Sequence, residues 1–488
     1  MTDLYDVRVS SGVWNALGMD EAIAGVDRAL LSRMVDEVNL LINQEAEERE
    51  KRRERRLGRV AERQLAMALT MNVLMKEGSE RARRGLDMWS EAQETALRDD
   101  VLDSLFGVGR IQRLLLNPEV EDIYIAGTRP VHLRMADGSL VEVPPIADTV
   151  EELMSQLRSI ATYGGSQERQ MVSSRPIIDM RLPDGQRAAA MWDVTPEPHI
   201  TIRCHRFVDV SLQQLVGMGM LSQAMAHFLD AAVRAGRTIV VIGPQGAGKT
   251  TLIRALAQAI PRSERYATIE TEYELFLHTI ADSDGRLRWP LLIPVEARPG
   301  TGEKGPDGKP AGEMSIADLF PATLRHSLTR LIVGEMRAEE IVPTLMAAAR
   351  GLRGSITSFH ANSAQKTFNS LRSAVTFYSH NVSAEAAMGL VADAIDYVVC
   401  VDRENTKSGT VRFVSEILEV GDNTTEAGIP TSAPIFEPDK TRGDIDPRGY
   451  PKREPEDKLW ARRAGLSMSW LKPARGEWAA PFPPRDLA

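Results

Sequence analysis

Residues 238–251 read TIVVIGPQGAGKTT, and this stretch decides the fold. Its first five residues are apolar or β-branched and predict a buried strand, while residues 252–260 favour a helix. Between them, Gly243 to Thr250 match the pattern G-x-x-x-x-G-K-T. A strand, a glycine-rich turn and a helix in this order form a loop whose backbone N–H groups surround phosphate. The sequence therefore predicts a nucleotide-binding α/β core.

The residues of this loop have separate predicted roles. The glycines let the backbone curl, Lys249 reaches the β- and γ-phosphates, and the hydroxyl of Thr250 binds Mg²⁺. A chance match in a glycine-rich turn is the alternative, and the flanking strand and helix argue against it. The predicted nucleotide-binding residues are Gly243, Pro244, Gln245, Gly246, Ala247, Gly248, Lys249, Thr250 and Thr251.

Length and composition limit the remaining possibilities. A chain of 488 residues is too long for one core and predicts about three domains. A net charge of −9 and 5% aromatic residues argue against a surface that wraps or stacks nucleic acid. Cys204 and Cys400 have no paired spacing, which fits a reducing compartment and argues against a cysteine-based zinc site. Residues 1–13 lack the apolar stretch of a signal peptide, and no apolar run reaches the length of a membrane span, so we expect a cytoplasmic chain.

The segments before the loop predict two further regions. Residues 20–100 follow a helical period, with Ile23, Val26, Leu30, Met34, Val38 and Leu41 on one stripe. Residues 45–56 mix acids and bases at i, i+4 spacing, which fits a solvated helix face or an arm that docks on a partner. Residues 110–208 contain short strands, turn signals and one helix and predict a small α+β domain. Residues 212–235 are then expected to form a helix that leads into the phosphate-loop strand.

Polar residues follow three further apolar strands of the core. Residues 267–269 run into an acidic cluster that includes Glu270 and Glu274, residues 330–333 precede Glu335, and residues 355–359 precede His360. Residues 299–313 are rich in Gly, Pro and Lys and read as a loop. Because alternating strands and helices build a mostly parallel sheet, these strand ends should meet at one edge, where ligands bind.

Phosphoryl transfer to water needs a group that positions or deprotonates the water. Glu335 has the chemistry for that task, although acids at strand ends also commonly cap the next helix. His360 lies at a third strand end, where a structural role is as plausible as a catalytic one.

Several stretches resemble the secretion-superfamily ATPases of type II and type IV secretion and of type IV or Tad pilus assembly, with the CpaF-type Tad ATPases closest. The resemblance covers about residues 110 to 420. Besides the phosphate loop, it rests on IIDMRLPDG at 177–185, ITIR at 200–203, TIE at 268–270, EL at 274–275, LIVGEMR at 331–337 and GSITSFHAN at 354–362.

The resemblance implies roles for individual residues. It makes Glu335 the catalytic glutamate of the Walker B box, also near the metal, and His360 the histidine near the γ-phosphate. Glu270 and Glu274 match its acidic box. Arg181 and Arg203 match arginines of the N-terminal domain that approach nucleotide. One departure stands out, because Thr271 replaces the Asp that usually follows the first acidic-box Glu. A threonine supplies no carboxylate unless Glu272 compensates.

These observations predict an N-terminal helical region (1–109), an α+β domain (110–208), a RecA-like P-loop ATPase domain (209–420) and a proline-rich C-terminal tail (421–488). The tail is expected to be extended, disordered or irregularly packed, although Trp460, Trp470 and Trp478 favour docking on the core or on a partner. The resemblance implies a hexameric motor with nucleotide between its two domains. It would use ATP and Mg²⁺ to drive an inner-membrane platform protein from the cytoplasmic face. A nucleic-acid translocase on the same core and a non-hydrolysing structural subunit are the alternatives.

Overall fold

The computed structural model describes residues 28–52, 54, 57–106, 111–163, 176–182, 185–204, 207–298, 300, 310–337, 339–361, 363–378, 382–407, 409–439, 441, 446–472 and 477–484. The chain forms two compact units, Met1–Arg206 and Phe207–Ala488. Within the described ranges, no helix is both long enough and apolar enough to cross a membrane.

The first unit begins with three helices, α1 (Arg28–Lys51), α2 (Arg59–Arg83) and α3 (Glu91–Phe106). Their core contains the predicted stripe, because Leu30, Met34 and Val38 are buried together with Leu97 of α3. Ile23 and Val26 lie outside the described residues. Part of the charged run forms ion pairs one helical turn apart, with Arg52 Nη2 2.6 Å from Glu48 Oε2.

A six-stranded antiparallel sheet follows in the same unit, with strand order β3-β2-β1-β6-β5-β4. Alternate residues of its strands are buried, such as Ile123, Leu133 and Ile202, as expected for a sheet with one covered face. Its elements are α4 (Ile111–Leu116), β1 (Val120–Ala126), β2 (Val131–Met135), β3 (Leu140–Val143), α5 (Val150–Tyr163), β4 (Ile177–Arg181), β5 (Arg187–Met191) and β6 (His199–Arg203).

The second unit begins with α6 (Leu212–Gly217) and α7 (Gln223–Arg234), where the sequence predicted one continuous helix over 212–235. Gly219 has a φ of 76°, a left-handed conformation that ends the first helix. The Ser222 hydroxyl then accepts a hydrogen bond from the backbone N–H of Met225 and caps the second helix. The prediction of one helix is therefore wrong at this point.

The sheet of the second unit has nine strands in the order β15-β14-β13-β12-β7-β11-β10-β8-β9. Strands β12, β7, β11, β10, β8 and β9 are parallel, and β13 to β15 add an antiparallel extension. The elements are β7 (Ile239–Ile242), α8 (Lys249–Ala257), β8 (Tyr266–Glu270), β9 (Ile293–Glu296), α9 (Ile316–Thr323), β10 (Arg330–Met336), α10 (Ile341–Ala349), β11 (Ile356–Phe359), α11 (Ala364–Tyr378), α12 (Ala384–Ala394), β12 (Tyr397–Thr406), β13 (Gly409–Thr424), β14 (Pro430–Pro438), β15 (Gly449–Pro451) and α13 (Lys458–Arg463).

Strand β7 lies between β12 and β11, and all four of its residues are buried. Its two faces belong to different cores, because Ile239 and Val241 pack with α7 and α8 whereas Val240 and Ile242 pack with α10 to α12. A parallel sheet covered on both faces requires such continuously apolar strands. The predicted fold class is confirmed: an α/β core is preceded by an α+β sheet and N-terminal helices.

The segment 421–488 differs from the predicted tail. Strand β13 continues to Thr424, and β14 and β15 extend the same sheet. Pro430 and Pro438 are the first and last residues of β14, positions where a missing N–H donor interrupts few ladder bonds. These strands correct the expectation of an extended, disordered or irregularly packed tail. Pro430, Pro438 and Pro451 stand at strand ends, and Pro434 lies inside β14, so a count of prolines could not predict these strands.

Two of the three tryptophans of this segment are buried in the core of the second unit, Trp460 at 6% and Trp478 at 9% exposure. The Trp460 ring contacts Phe228 and Tyr397 edge-on, with centroids 5.9 Å apart in both pairs. The indole N–H of Trp478 donates to the carbonyl of Gly449 at 3.1 Å. Trp470 is partly buried and stacks on His227. The segment is therefore part of the hydrophobic core.

We predict that Trp460→Ala lowers the stability of the second unit by about 3–5 kcal/mol, because it removes a buried aromatic side chain and leaves a cavity. Urea denaturation followed by far-UV circular dichroism measures the effect. Leu459→Ala on the same helix is the matched control, since Leu459 is 55% exposed. Equal effects of the two substitutions would show that the segment does not stabilise the core.

Candidate functional site

The predicted phosphate loop connects β7 to α8 at the carboxyl edge of the parallel strands. Gly243 has a φ of 146° and Gly248 one of 98°, both in the region that favours glycine. A Cβ on Gly243 would lie 2.1 Å from the carbonyl oxygen of Val401 on β12, so no side chain fits there. The loop thus needs these glycines for both conformation and space.

Lys249 is the first residue of α8, and its side chain folds back over the loop. Its Nζ donates to the carbonyl oxygens of Gly243 and Pro244 at 3.0 and 3.1 Å. It also lies 3.3 Å from Nδ1 of His360. The ammonium is therefore held at the loop, beside the helix N-terminus, where an anion is stabilised.

The remaining predicted loop residues occupy the turn and the start of α8. Gln245 is exposed, Ala247 is buried, and Thr251 lies on the first turn of the helix. The Thr250 hydroxyl donates to Oε2 of Glu274 at 3.4 Å. The predicted Mg²⁺ ligand and one acid of the acidic box are thus neighbours.

Glu270 ends β8 and is 3% exposed. Its Oε2 accepts hydrogen bonds from the backbone N–H groups of Glu274 and Leu275 at 2.9 and 2.8 Å. These bonds fix the backbone of the acidic loop and place Glu274 beside Thr250. Glu270 therefore positions the acidic loop, which Arg254 supports from the other side by donating to the carbonyl oxygen of Glu274.

Burial raises the pKa of Glu270 to about 7, although the backbone hydrogen bonds from Glu274 and Leu275 oppose the shift. Its Oε1 has no hydrogen-bond partner among the residues that the structure describes. The carboxyl group is therefore easily protonated near neutral pH. Thr271, which follows Glu270, is exposed.

Glu335 belongs to β10 rather than following it, because the strand continues to Met336. One carboxylate oxygen, Oε2, lies 2.5 Å from Nη2 of Arg337, and the other, Oε1, lies 2.5 Å from Nε2 of His360. On the neighbouring strand β11, the Ser358 hydroxyl donates to the Gly334 carbonyl at 2.7 Å. The two strand ends are thereby held side by side.

His360 lies between Lys249 and Glu335. Burial lowers the pKa of His360, and the positive charge of Lys249 lowers it further, while Glu335 opposes both effects. The imidazole is therefore neutral at pH 7. Because Nδ1 faces an ammonium that can only donate, the ring proton belongs on Nε2, which faces Glu335.

The structure thus brings Lys249, Thr250, Glu270, Glu274, Glu335 and His360 to one edge of the sheet. Arg181 and Arg203 belong to the first unit. They lie on β4 and β6, and each is the cross-strand neighbour of Arg187 on β5 between them. Their predicted approach to nucleotide stays a prediction. Asn362 lies outside the described residues, as do Pro183, Asp184 and most of the predicted 299–313 loop.

Sequence reasoning did not identify the arginines that support this site. Arg337 lies two residues after Glu335, just beyond the end of β10, and its Nη2 lies 2.5 Å from Oε2 of Glu335, so its nearness in sequence was an available signal. Arg254, on α8, donates to the Glu274 carbonyl, and Arg412, on β13, donates through Nε to the Gly246 carbonyl at 2.9 Å. No sequence signal links them to the site.

Comparison with known proteins gives a consistent match. A family model described as type II/IV secretion system protein matches residues 105–416. The uncharacterized protein MJ0900 of Methanocaldococcus jannaschii is 27% identical over 271 residues, which cover 55% of this chain and 45% of that protein. The type IV secretion system protein VirB11 of Brucella suis is 31% identical over 277 residues, covering 51% of this chain and 73% of VirB11. The chain therefore spans less than half of MJ0900.

A solved structure of the VirB11 ATPase from Brucella suis, in complex with sulphate, covers 63% of this chain and 91% of its own. The two share 25% sequence identity and a TM-score of 0.32.

We predict that Glu270 makes folding less favourable as pH rises from about 4.5 to about 7. In this window the unfolded state, with the usual pKa of 4.5, loses its proton while the folded state, with a pKa of about 7, keeps it. The free energy of unfolding should fall across the window and then level off. In Glu270→Gln this component disappears, because the amide oxygen still accepts both backbone hydrogen bonds but does not titrate.

Urea unfolding at intervals between pH 4.5 and 8 tests the prediction. Glu426→Gln, at an exposed position, is the control for a general loss of negative charge. Parallel pH profiles for the wild type and Glu270→Gln would contradict it.

Proposed function

The chain belongs to the type II/IV secretion system protein family, and from this premise we propose that it is an ATPase whose site is the edge formed by the phosphate loop, Glu335 and His360. One observation carries the proposal. A single imidazole spans the phosphate-binding lysine and the acidic residue, with Lys249 3.3 Å from its Nδ1 and Glu335 2.5 Å from its Nε2. Hydrolysis of a terminal phosphate needs a cation at the phosphates and a group that positions the attacking water.

The phosphate loop fits the phosphates of ATP because its glycines allow a backbone conformation in which the N–H groups can surround phosphate. Lys249 supplies a positive charge beside them. A divalent cation also fits, since the Thr250 hydroxyl and the Glu274 carboxylate are hard oxygen donors 3.4 Å apart. Thr250 would hold Mg²⁺ with Glu274 or Glu335. When bound, Mg²⁺ neutralises charge on the β- and γ-phosphates.

Glu335 is the proposed group that orients the attacking water and takes its proton as water adds to the γ-phosphorus and ADP leaves. Two contacts hold this carboxylate, one to Arg337 and one to His360. The ion pair with Glu335 raises the pKa of Arg337, so the guanidinium stays charged. Because His360 is neutral, it can contact the γ-phosphate without placing a second positive charge, besides that of Arg337, next to the Glu335 carboxylate.

We further propose that the chain works as a homo-hexamer at the cytoplasmic face of the inner membrane, where it drives a platform protein of a secretion or Tad pilus system. The support is family membership, together with 31% identity to VirB11, a type IV secretion system protein. Light scattering with and without a non-hydrolysable ATP analogue tests assembly. A strict monomer under both conditions counts against the motor.

We predict that Lys249→Ala abolishes ATP binding, whereas Glu335→Gln binds ATP and loses more than about a hundredfold in turnover. The amide keeps the shape of the side chain but cannot act as a base. Isothermal titration with ATP and a phosphate-release assay measure the two effects. Glu339→Gln is the matched control, because Glu339 is exposed and lies four residues further along the chain.

Full turnover in Glu335→Gln would remove the role assigned to Glu335. Unaltered ATP binding in Lys249→Ala would remove the phosphate loop from the site.

We predict that Thr271→Asp raises turnover or Mg²⁺ affinity severalfold. The position is exposed and follows Glu270, so a carboxylate there can reach a bound cation without burial. Thr271→Asn is the control, since it has the same shape without the charge. Turnover at varied Mg²⁺ concentration separates rate from affinity. If Asp lowers both, another acid such as Glu272 already occupies the site.

A further inference from the structure

Two arginines of the β12–β13 ribbon lie against the phosphate loop. Strand β12 runs parallel to β7 with Cys400 beside Ile242, so residues after Cys400 pass the loop at the same edge of the sheet. The Arg412 Nε donates to the Gly246 carbonyl at 2.9 Å. The Arg403 Nη1 lies 2.8 Å from the position that a Cβ on Gly246 would take. Both guanidinium groups therefore meet the loop at Gly246.

These two arginines form a directly opposed pair in the antiparallel ribbon. Like charges opposite each other across two strands are destabilising. Neighbouring positions avoid the conflict, because Asp402 pairs with Phe413 and Glu404 with Val411. A local conflict of this kind is expected where function requires it.

Arg403 is exposed, and its backbone N–H donates to the Asp402 carboxylate. Within the part of the chain that the structure describes, no carboxylate forms an ion pair with its guanidinium. Its positive charge is thus available beside a loop that binds an anion. Arg412, in contrast, already uses one donor to hold the loop backbone.

The side-chain alternation of β12 places Arg403 on the phosphate side of the sheet. Val399 and Val401 belong to the core that contains Leu252 and Ile253 of α8. Arg403 follows two residues after Val401 and points to the same face. On that face, the N-terminus of α8 and the loop N–H groups bind phosphate.

We infer that Arg403 is a further nucleotide-binding residue, whose guanidinium binds the α- or β-phosphate oxygens nearest Gly246, while Arg412 fixes the loop at the same residue. This inference rests on the proposed function. Because loop N–H groups surround the α- and β-phosphates and Lys249 reaches the β- and γ-phosphates, Arg403 acts on ADP as well as ATP. An anion between the two guanidinium groups also removes their mutual repulsion.

The experiment measures the affinities of ATP, ADP, adenosine and inorganic tripolyphosphate for the full chain in the Glu335→Gln background, so that ATP is not consumed. We expect Arg403→Ala to lower the affinity for ATP, ADP and tripolyphosphate about tenfold or more, because it removes a charge-assisted hydrogen bond. Adenosine affinity should not change. Arg403→Lys should fall between, because it keeps the charge but loses the planar fork.

Lys407→Ala is the matched control, since it removes an exposed positive charge from the same ribbon. It should leave all four affinities unchanged, and the salt dependence of ADP binding should become shallower only in Arg403→Ala. The thermal unfolding midpoint without nucleotide should be no lower in Arg403→Ala than in Lys407→Ala, because removing Arg403 relieves its repulsion with Arg412.

Three results would overturn the inference. They are unchanged ADP affinity in Arg403→Ala, an equal loss for adenosine and ADP, and a lowered unfolding midpoint without nucleotide, which would give Arg403 a purely structural role. If the Glu335→Gln protein with Arg403 intact bound neither ATP nor ADP, that result would instead overturn the proposed function itself.

Discussion

The site depends on the approach of Gly243 to β12, where only a hydrogen atom fits against the Val401 carbonyl. Strands β12 and β7 are neighbouring parallel strands, and Gly243, the first residue after β7, lies against the backbone of β12 at Val401. A side chain at residue 243 would push the loop away from this strand. The carbonyl of Gly243 would then move from Lys249, which it holds at 3.0 Å. The close contact therefore sets the position of both the lysine and the N-terminus of α8.

From that fixed lysine, a row of polar contacts crosses three adjacent strands of the sheet. Lys249 follows β7, His360 follows β11 and Glu335 is the penultimate residue of β10, and these strands are neighbours in that order. Each contact joins one strand end to the next, so a shift of any strand separates the charges. Burial keeps the imidazole neutral between a cation and an anion, because the lowered pKa of His360 disfavours a third charge. The parallel register thus controls the electrostatics of the site.

Sequence reasoning predicted much of this arrangement because its signals are local. The loop motif, the apolar strands and the acids at their ends each lie within a short stretch, and the carboxyl ends of parallel strands share one edge. The contacts of Arg254 and Arg412 depend on chain segments far apart in sequence, and no periodicity reveals them. The prediction of irregular structure in the tail is wrong for a related reason, although its tryptophans pack on the core as predicted. Its prolines indicated irregular structure, but β14 forms because β13 offers a partner.

Strands β10 and β8 show how the two edges of the sheet differ in their buried charged residues. At the first residue of β10, the buried Arg330 binds Glu264 through two nitrogens and donates to the carbonyls of Gly354 and Val233. This buried charge has four hydrogen bonds, and removing its partner would leave an unpaired charge at a cost of about 3–5 kcal/mol. At the opposite edge, the buried Glu270 keeps one oxygen without a hydrogen bond among the described residues. Unused hydrogen-bonding capacity is costly in a core and useful only where a ligand can satisfy it. The buried Arg330 therefore stabilises the amino edge of the sheet, whereas the carboxyl edge carries the polar groups of the proposed site.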